Sequence, residues 1–445
     1  MTYFFETYGC QMNFAESASV ERLLTARGWT PAGSADDADL VLLNTCAVRI
    51  TAETRVFGRL AYFAAQKKRR SFFLVVTGCM AQRIREEIRE RFPCVDAVVG
   101  MFEKQVFPDV FLAAEEGRPY VPVEEIPADG TYFFAPSSYS EGAFQSFVPI
   151  MNGCNNFCSY CIVPYVRGRE VSRNPADILA EIDTLGSKGV REVTLLGQNV
   201  NSYRWTQGES APLDFPDLLD AVAARAAEKG SVRWIRFLSS HPRDFSGKLL
   251  DTIAAQDSLC KMIHLPVQHG STRILQAMNR GYTREKYLAL AEEIRARIPD
   301  AALSTDILVG FPGETEADFQ EVLSLMERVR FASAYMYYFN PREGTKAFSM
   351  PDQIPEEVRK ERLARVIGLQ MKITAEEMEK RVGKTVDVLL ESVSRDNPRE
   401  LFGHTERGEM VVLTDALDPS LCGSFVRAEL LCLRGKTFRA KISAQ

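Results

Sequence analysis

The chain has 445 residues, 46% hydrophobic and 25% charged, which is too long for one ordinary domain and fits a folded protein of two or three. A formal net charge of −5 excludes a uniformly basic nucleic-acid binder while leaving room for local basic patches that engage RNA. No segment approaches the length of a membrane-spanning helix, and the first residues lack a basic stretch followed by an apolar one. A cytoplasmic protein with no membrane association is therefore expected.

In that reducing compartment the ten cysteines point to metal chemistry before disulfides. Near the start, three apolar runs at residues 3–10, 40–46 and 72–79 each end on a cysteine: Cys10, Cys46 and Cys79. The runs have the length and composition of buried parallel strands, and helical patterns at 15–27, 51–67 and 81–91 follow them. This predicts an open parallel α/β sheet over residues 1–116. In such sheets the carboxyl ends of the strands share one rim, so the three cysteines should converge there. The alternative, three unrelated small residues in a core, does not account for their repeated place at strand ends.

Residues 117–140 read as a linker, with Pro119, Pro122, Pro127, Gly130 and Pro136 and little periodicity. Beyond it, strand-like runs at 147–151, 193–196, 234–239, 262–267, 303–309 and 335–339 alternate with helical patterns such as 175–188 and 216–229. They predict a partial (β/α)6 barrel over residues 141–373, with function at the carboxyl ends of its strands. A helical stretch at 355–381 ends the barrel. Short alternating runs at 385–390, 410–413 and 425–431 then predict a small antiparallel β-barrel within residues 374–445.

The first barrel strand leads into Cys154, Cys158 and Cys161, a C-x3-C-x2-C run. This spacing also fits one face of a helix, but Gly153, Asn155 and Asn156 are poor helix residues and Pro164 stops any continuation. A loop wrapped around a cluster fits better. Structural zinc closes its coordination with four side chains, whereas an iron-sulfur cube held by three cysteines keeps one iron open. Such an iron is suited to chelate S-adenosylmethionine, whose one-electron cleavage yields a carbon radical able to attack unactivated C–H bonds.

Residues 151–173 resemble the signature of the radical S-adenosylmethionine methylthiotransferase family. Residues 8–13, 44–49 and 78–82 resemble that family's auxiliary-cluster domain, and the tail resembles its TRAM domain, a β-barrel that binds RNA. The resemblance covers nearly the whole chain. It implies that Cys154, Cys158 and Cys161 hold the 4Fe-4S cluster that cleaves S-adenosylmethionine. It further implies that Cys10, Cys46 and Cys79 hold a second, auxiliary 4Fe-4S cluster that delivers sulfur, methylated by the same cofactor.

By the same resemblance Gly197, Gln198 and Asn199 form a polar cofactor-binding segment, and Asp306 and Gly310 lie near the adenosine. A plain turn at Gly310 and a capping or solvated Asp306 remain open alternatives. Tyr160 packs against the cofactor or serves ordinary packing. His241, His264 and His269 are not assigned as ligands, and core packing is expected for Cys94, Cys260, Cys422 and Cys432. Arg49, Arg167, Arg169 and Arg173 are expected to face RNA phosphates, the alternative being pairing with nearby acids.

Residues 44–49, 78–83 and 152–156 look like the family branch that acts on prenylated adenosine in tRNA. The expected reaction converts N6-isopentenyladenosine, next to the anticodon, into its 2-methylthio derivative. It calls for a tRNA carrying that base, a reducing electron donor and a sulfur source. The branch acting on threonylcarbamoylated adenosine is one alternative, and a non-catalytic iron-sulfur RNA-binding protein is another.

Overall fold

The computed structural model describes residues 1–47, 50–120, 132, 134, 142–206, 211–414 and 418–443. Five strands, β1 (Thr2–Thr7), β2 (Thr30–Pro31), β3 (Leu40–Thr45), β4 (Phe73–Gly78) and β5 (Ala97–Val99), form a parallel sheet in the order β2-β1-β3-β4-β5. Every residue of β3 and β4 is buried, because helices cover both faces. That is why these two strands read as unbroken apolar runs rather than as alternating ones.

Helix α1 (Gln11–Ala26) starts directly after Cys10, whose extended backbone (φ −95°, ψ 175°) makes it the N-cap. The helix therefore begins four residues before the apolar pattern does. Helix α2 (Ile50–Gln66) follows β3. The helix expected over residues 81–91 is two pieces, α3 (Cys79–Arg83) and α4 (Arg85–Arg91), broken where Ile84 leaves helical geometry at φ −128°, ψ 40°. Helix α5 (Phe107–Glu115) completes the layer.

The central domain begins with β6 (Gln145–Pro149) and a two-stranded ribbon, β7 (Met151–Asn152) with β8 (Val171–Ser172), flanking the short helix α6 (Val163–Arg167). After α7 (Pro175–Ser187) come β9 (Glu192–Leu196), the ribbon of β10 (Arg204–Trp205) and β11 (Leu213–Asp214), and α8 (Phe215–Lys229). Strand β12 (Trp234–Phe237), α9 (Gly247–Ala255), β13 (Met262–His264), α10 (Thr272–Ala277) and α11 (Arg284–Arg297) continue the alternation. Strand β14 (Ala302–Val309), α12 (Glu316–Val329), β15 (Ser333–Tyr338) and the long α13 (Glu356–Glu379) end it.

Strands β6, β9 and β12 pair in parallel, as do β13, β14 and β15. A parallel bridge between Ile235 and Leu259 joins the two sets, so the six strands expected from the sequence form one open barrel wall. Its interior and the helices around it share one large apolar cluster.

The last five strands, β16 (Thr385–Val393), β17 (Leu401–Thr405), β18 (Met410–Leu413), β19 (Phe425–Arg434) and β20 (Thr437–Ile442), close a barrel in the order β16-β17-β18-β20-β19. All pairs are antiparallel except β18 with β20, which run parallel where the barrel closes. This barrel docks against the amino ends of the central strands. His404 Nε2 meets Glu192, the first residue of β9, at 2.8 Å, and Arg236 of β12 donates to the carbonyl of Thr405 at 3.0 Å. The opposite, carboxyl rim is left for the N-terminal domain and the cysteine loops.

Candidate active site at two cysteine triads

Parallel register brings Cys10, Cys46 and Cys79 to one rim. Thr7 pairs with Asn44, and Thr45 with Gly78, so the chain leaves β1, β3 and β4 at nearly the same height. Cys46 and Cys79 follow their strands directly, and Cys10 stands three residues beyond β1 at the positive end of α1. A buried amide pair locks the loops of Cys10 and Cys46 together. Asn13 Nδ2 donates to Asn44 Oδ1 (3.0 Å) and to the Thr45 carbonyl (3.1 Å), while Asn44 Nδ2 donates to the Asn13 carbonyl (2.9 Å). Asn13 Oδ1 accepts from the Cys10 thiol at 3.4 Å. Burial pushes the Cys79 thiol up to about 12, with Arg167 opposing and Cys46 and Cys10 close enough to add to the shift.

The second triad sits on an irregular loop, as Gly153 and Pro164 require. Gly153 has φ +84°, and a Cβ there would lie 2.0 Å from the Arg169 carbonyl oxygen, so only glycine lets the two chains pass. Its N–H donates to Gln198 Oε1 at 2.6 Å. The Cys154 amide donates to the Gly168 carbonyl (3.1 Å) and the Ser159 amide to the Met278 carbonyl (3.0 Å). Burial raises Cys154 to about 11 and Cys161 to about 12, each further raised by Cys158. Arg280 Nη1 donates to Cys158 Sγ at 3.4 Å.

The two triads border one apolar cluster, to which Cys79 and Ile162, the neighbour of Cys161, both belong. The domains are also fastened by charge. Glu16 of α1 accepts from Arg167 Nη1 (2.9 Å) of the central domain, from Lys104 Nζ (2.9 Å) and from Tyr132 OH (2.7 Å), all buried. Burial opposes ionisation of Glu16, yet Arg167 and Lys104 hold its carboxyl down at about 2.

Among the described residues, no group of three His, Cys, Asp or Glu side chains is spaced to hold a single metal ion. A cluster does not ask for that, since each iron takes its own thiolate. The donor sets fit such a group. Each has three thiols on neighbouring backbone turns and a guanidinium close by; Cys46, Cys79, Cys154 and Cys158 are buried, whereas Cys10 is exposed.

Three matches cover the chain in succession. Residues 2–100 match the Uncharacterized protein family UPF0004, residues 148–326 the Radical SAM superfamily, and residues 379–443 the TRAM domain. A tRNA-2-methylthio-N(6)-dimethylallyladenosine synthase of Treponema denticola is 57% identical over 100% of both chains. The chain belongs to the radical S-adenosylmethionine methylthiotransferase family.

Two further proteins bearing the same name bound the likeness. That of Treponema pallidum subsp. pallidum is 56% identical over 99% of each chain, and that of Dictyoglomus thermophilum is 43% identical over 98% of each. Among solved structures, the radical S-adenosylmethionine methyltransferase TsrM of Kitasatospora setae shares the fold with a TM-score of 0.57 at 16% identity, covering 78% of this chain and 77% of its own. The cobalamin-dependent radical enzyme OxsB does so with a TM-score of 0.53 at 12% identity, over 83% and 56%. Membership in the methylthiotransferase family implies an enzyme that uses a 4Fe-4S cluster and S-adenosylmethionine. No helix among the described residues is long and apolar enough to cross a membrane.

The remaining expected site residues divide. Gln198 reaches the Cys154 loop, as above, and Asn199 donates from Nδ2 to Asp244 (2.7 Å) while its buried Oδ1 has no protein partner. The Cα of Gly197 packs against Met151, whose Cγ would lie 2.4 Å from an added Cβ. Asp306 lies part-buried on β14 with Oδ1 3.7 Å from His264 Nε2. Gly310 forms a turn with φ +72°, its amide donating to Glu314 Oε2 at 2.6 Å and its missing side chain making room for Arg359. Tyr160 packs on the apolar cluster of Ile274, Met278, Phe311 and Phe339.

Of the arginines expected to face phosphate, two do not. Arg167 is 3% exposed and bound to Glu16, and Arg173 is buried against Glu181 at 2.5 Å. A buried guanidinium requires an anion of its own, and both found one inside the protein. Arg169 is exposed, with its guanidinium 4.4 Å over the Phe157 ring, and Arg49 lies outside the described residues. The unassigned histidines are internal: His269 Nε2 meets Glu314 at 3.2 Å, and burial beside Arg280 and Arg243 holds His241 down at about 2. Of the four cysteines expected in cores, Cys260 is buried, Cys94 and Cys422 are half-buried and Cys432 is exposed, so core packing does not describe the last. Asn13, Glu16, Asn279 and Arg280 escaped the sequence reading. Asn13 ends the family-like run 8–13, whereas nothing local marks the other three.

Proposed function

We propose that this chain methylthiolates carbon 2 of N6-isopentenyladenosine next to the anticodon of tRNA, in the cytoplasm where that substrate resides. The observation that carries the reading is the 57% identity, over its full length, to a synthase named for that product. We assign Cys154, Cys158 and Cys161 to the 4Fe-4S cluster that takes S-adenosylmethionine. Cys10, Cys46 and Cys79 are assigned to a second 4Fe-4S cluster charged by an external sulfur source, and a reducing donor supplies electrons. When bound, these groups supply one-electron cleavage of S-adenosylmethionine and a transferable sulfur.

The protein's own residues position and shield. Gln198 and Gly153 fix the loop bearing Cys154, and Asn199 offers its unpaired buried Oδ1 toward a ligand at the rim. Gly197, Asp306, Gly310 and Tyr160 remain assigned to the same cofactor pocket: Gly197 and Gly310 directly follow β9 and β14, Asp306 lies on β14 and Tyr160 stands between Cys158 and Cys161. Glu16 and Arg167 hold the auxiliary sheet over the barrel mouth, so that a base splayed out of the anticodon loop enters between the triads. Arg169, exposed beside the cluster loop, is assigned to meet phosphate.

The test is anaerobic incubation of the reconstituted protein with prenylated anticodon-stem RNA, S-adenosylmethionine, sulfide and a reductant, followed by nucleoside mass spectrometry. The methylthiolated prenyl nucleoside is expected. Its absence, with the threonylcarbamoyl substrate converted instead, would reassign the branch. Failure to form 5'-deoxyadenosine at all would make this a non-catalytic protein.

A further inference from the structure

The loop that carries Cys154, Cys158 and Cys161 is braced from behind by the turn that follows α10. The Ala277 carbonyl accepts from Ser159 Oγ (2.9 Å) and the Met278 carbonyl from the Ser159 amide (3.0 Å). Asn279, in left-handed geometry at φ +60°, donates from Nδ2 to the carbonyls of Asn156 and Phe157, each at 3.0 Å. The next residue, Arg280, completes the series with its bond to Cys158 Sγ.

Arg280 is 5% exposed, and its other polar contacts are Tyr282 OH (3.1 Å) and the Pro266 carbonyl (2.8 Å). None of these groups carries a negative charge. The other buried or nearby guanidinia are answered: Arg167 by Glu16, and Arg243, also close to Cys158, by Asp244 at 2.9 Å. A cation taken out of water without an anion costs several kcal/mol, so the fold holds Arg280 ready for a negative group at the triad.

We propose that Arg280 is the positioning residue of the radical-generating cluster, holding Cys158 in place and raising the cluster's reduction potential. The inference rests on the assignment of that cluster to Cys154, Cys158 and Cys161. One electron from an external low-potential reductant adds one negative charge to the cluster. A fixed positive charge and an N–H bond to a ligand sulfur both favour the more negative, reduced form. Arg167, close to Cys79, differs in being paired with a carboxylate, Glu16, which it shares with Lys104.

The test is a reductive titration of the full-length reconstituted protein, followed by EPR on the signal that changes when S-adenosylmethionine is added. R280Q is expected to keep its iron and to weaken the reduction equilibrium at least about tenfold, a potential lower by about 59 mV for one electron. R280K keeps the charge and should stay within about threefold of wild type. N279A frees two loop carbonyls but leaves the charge, so it should move the potential less than R280Q. An unchanged potential in iron-loaded R280Q, or an equal fall in N279A, overturns the proposal. Should R280Q hold no cluster, R280K decides: a potential near wild type supports the charge reading and a tenfold loss refutes it. Absence of any such signal in the wild-type protein overturns the cluster assignment itself, and this inference with it.

Discussion

The carboxylate of Glu16, on the helix that begins at Cys10, receives the guanidinium of Arg167 at 2.9 Å across the boundary between the N-terminal sheet and the barrel. Glu16 is also the anion for Lys104, so one negative charge answers two buried positive ones. The two ends of the pair are therefore unequal. E16A strands two cations and should destabilise the protein by about 3–5 kcal/mol, the range for breaking a buried pair. R167M leaves Glu16 with Lys104 and should cost clearly less. Urea unfolding followed by tryptophan fluorescence, with Trp29 in the N-terminal domain, checks the ranking; R167M the more damaging of the two would refute this account.

That same pair marks the limit of what the sequence disclosed. The convergence of Cys10, Cys46 and Cys79 was legible because it follows from local signals: apolar runs long enough for strands, helices between them, and a topology that places strand ends on one rim. The loop at Cys154 was legible from glycine, asparagine and proline chemistry. Arg167 carried the same positive charge in the sequence as Arg169, yet one is buried and the other exposed. What separates them is Glu16, 151 positions away, and no local pattern encodes such a partner. Strands β17 and β20 were missed for a related reason: each is a short segment broken by polar residues, stabilised by its neighbours in a closed barrel rather than by its own composition.

His404 bridges the two domains at the other end of the barrel. Its Nε2 meets Glu192 at 2.8 Å, its Nδ1 meets Glu391 and lies 3.3 Å from Gln145 Nε2, and Arg236 approaches Glu192 at 2.9 Å. Burial alone would lower this imidazole, but the two carboxylates prevail and hold it above its ordinary value. A raised folded-state value means that the stabilisation is fully present below about pH 6.5 and is lost as pH rises through the folded value. Docking of the C-terminal barrel should loosen accordingly as pH increases. Hydrogen exchange in β17 and β9, compared between about pH 6 and about pH 9 after correction for intrinsic rates, should show this, and H404Q should flatten the difference. Equal protection at both pH values would exclude a charged His404.

Among the described residues, Arg169 is the expected phosphate contact that the fold leaves in reach of solvent, stacked on Phe157 beside the cluster loop. R169A should weaken RNA binding and reduce the salt dependence of the binding constant by about one unit of slope, the signature of one lost phosphate contact. Fluorescence anisotropy with an anticodon-stem RNA over a range of salt concentrations measures both. A loss of affinity with an unchanged slope would instead place the effect in the stacking of Phe157.

The two triads make separable demands on the chemistry. Cys158 lies on the loop assigned to S-adenosylmethionine cleavage, so C158S should abolish 5'-deoxyadenosine formation together with the methylthiolated nucleoside. Cys46 lies at the rim assigned to sulfur delivery, so C46S should still yield 5'-deoxyadenosine but no methylthio product. Cys94, part-buried among apolar side chains, and Cys432, exposed on the C-terminal barrel, belong to neither rim. C94S and C432S should therefore leave both products and the iron content unchanged. Liquid chromatography with mass spectrometry reads both nucleosides from one reaction. Iron loading that depended on Cys94 but not on Cys79 would remove the auxiliary site from the rim of the N-terminal sheet.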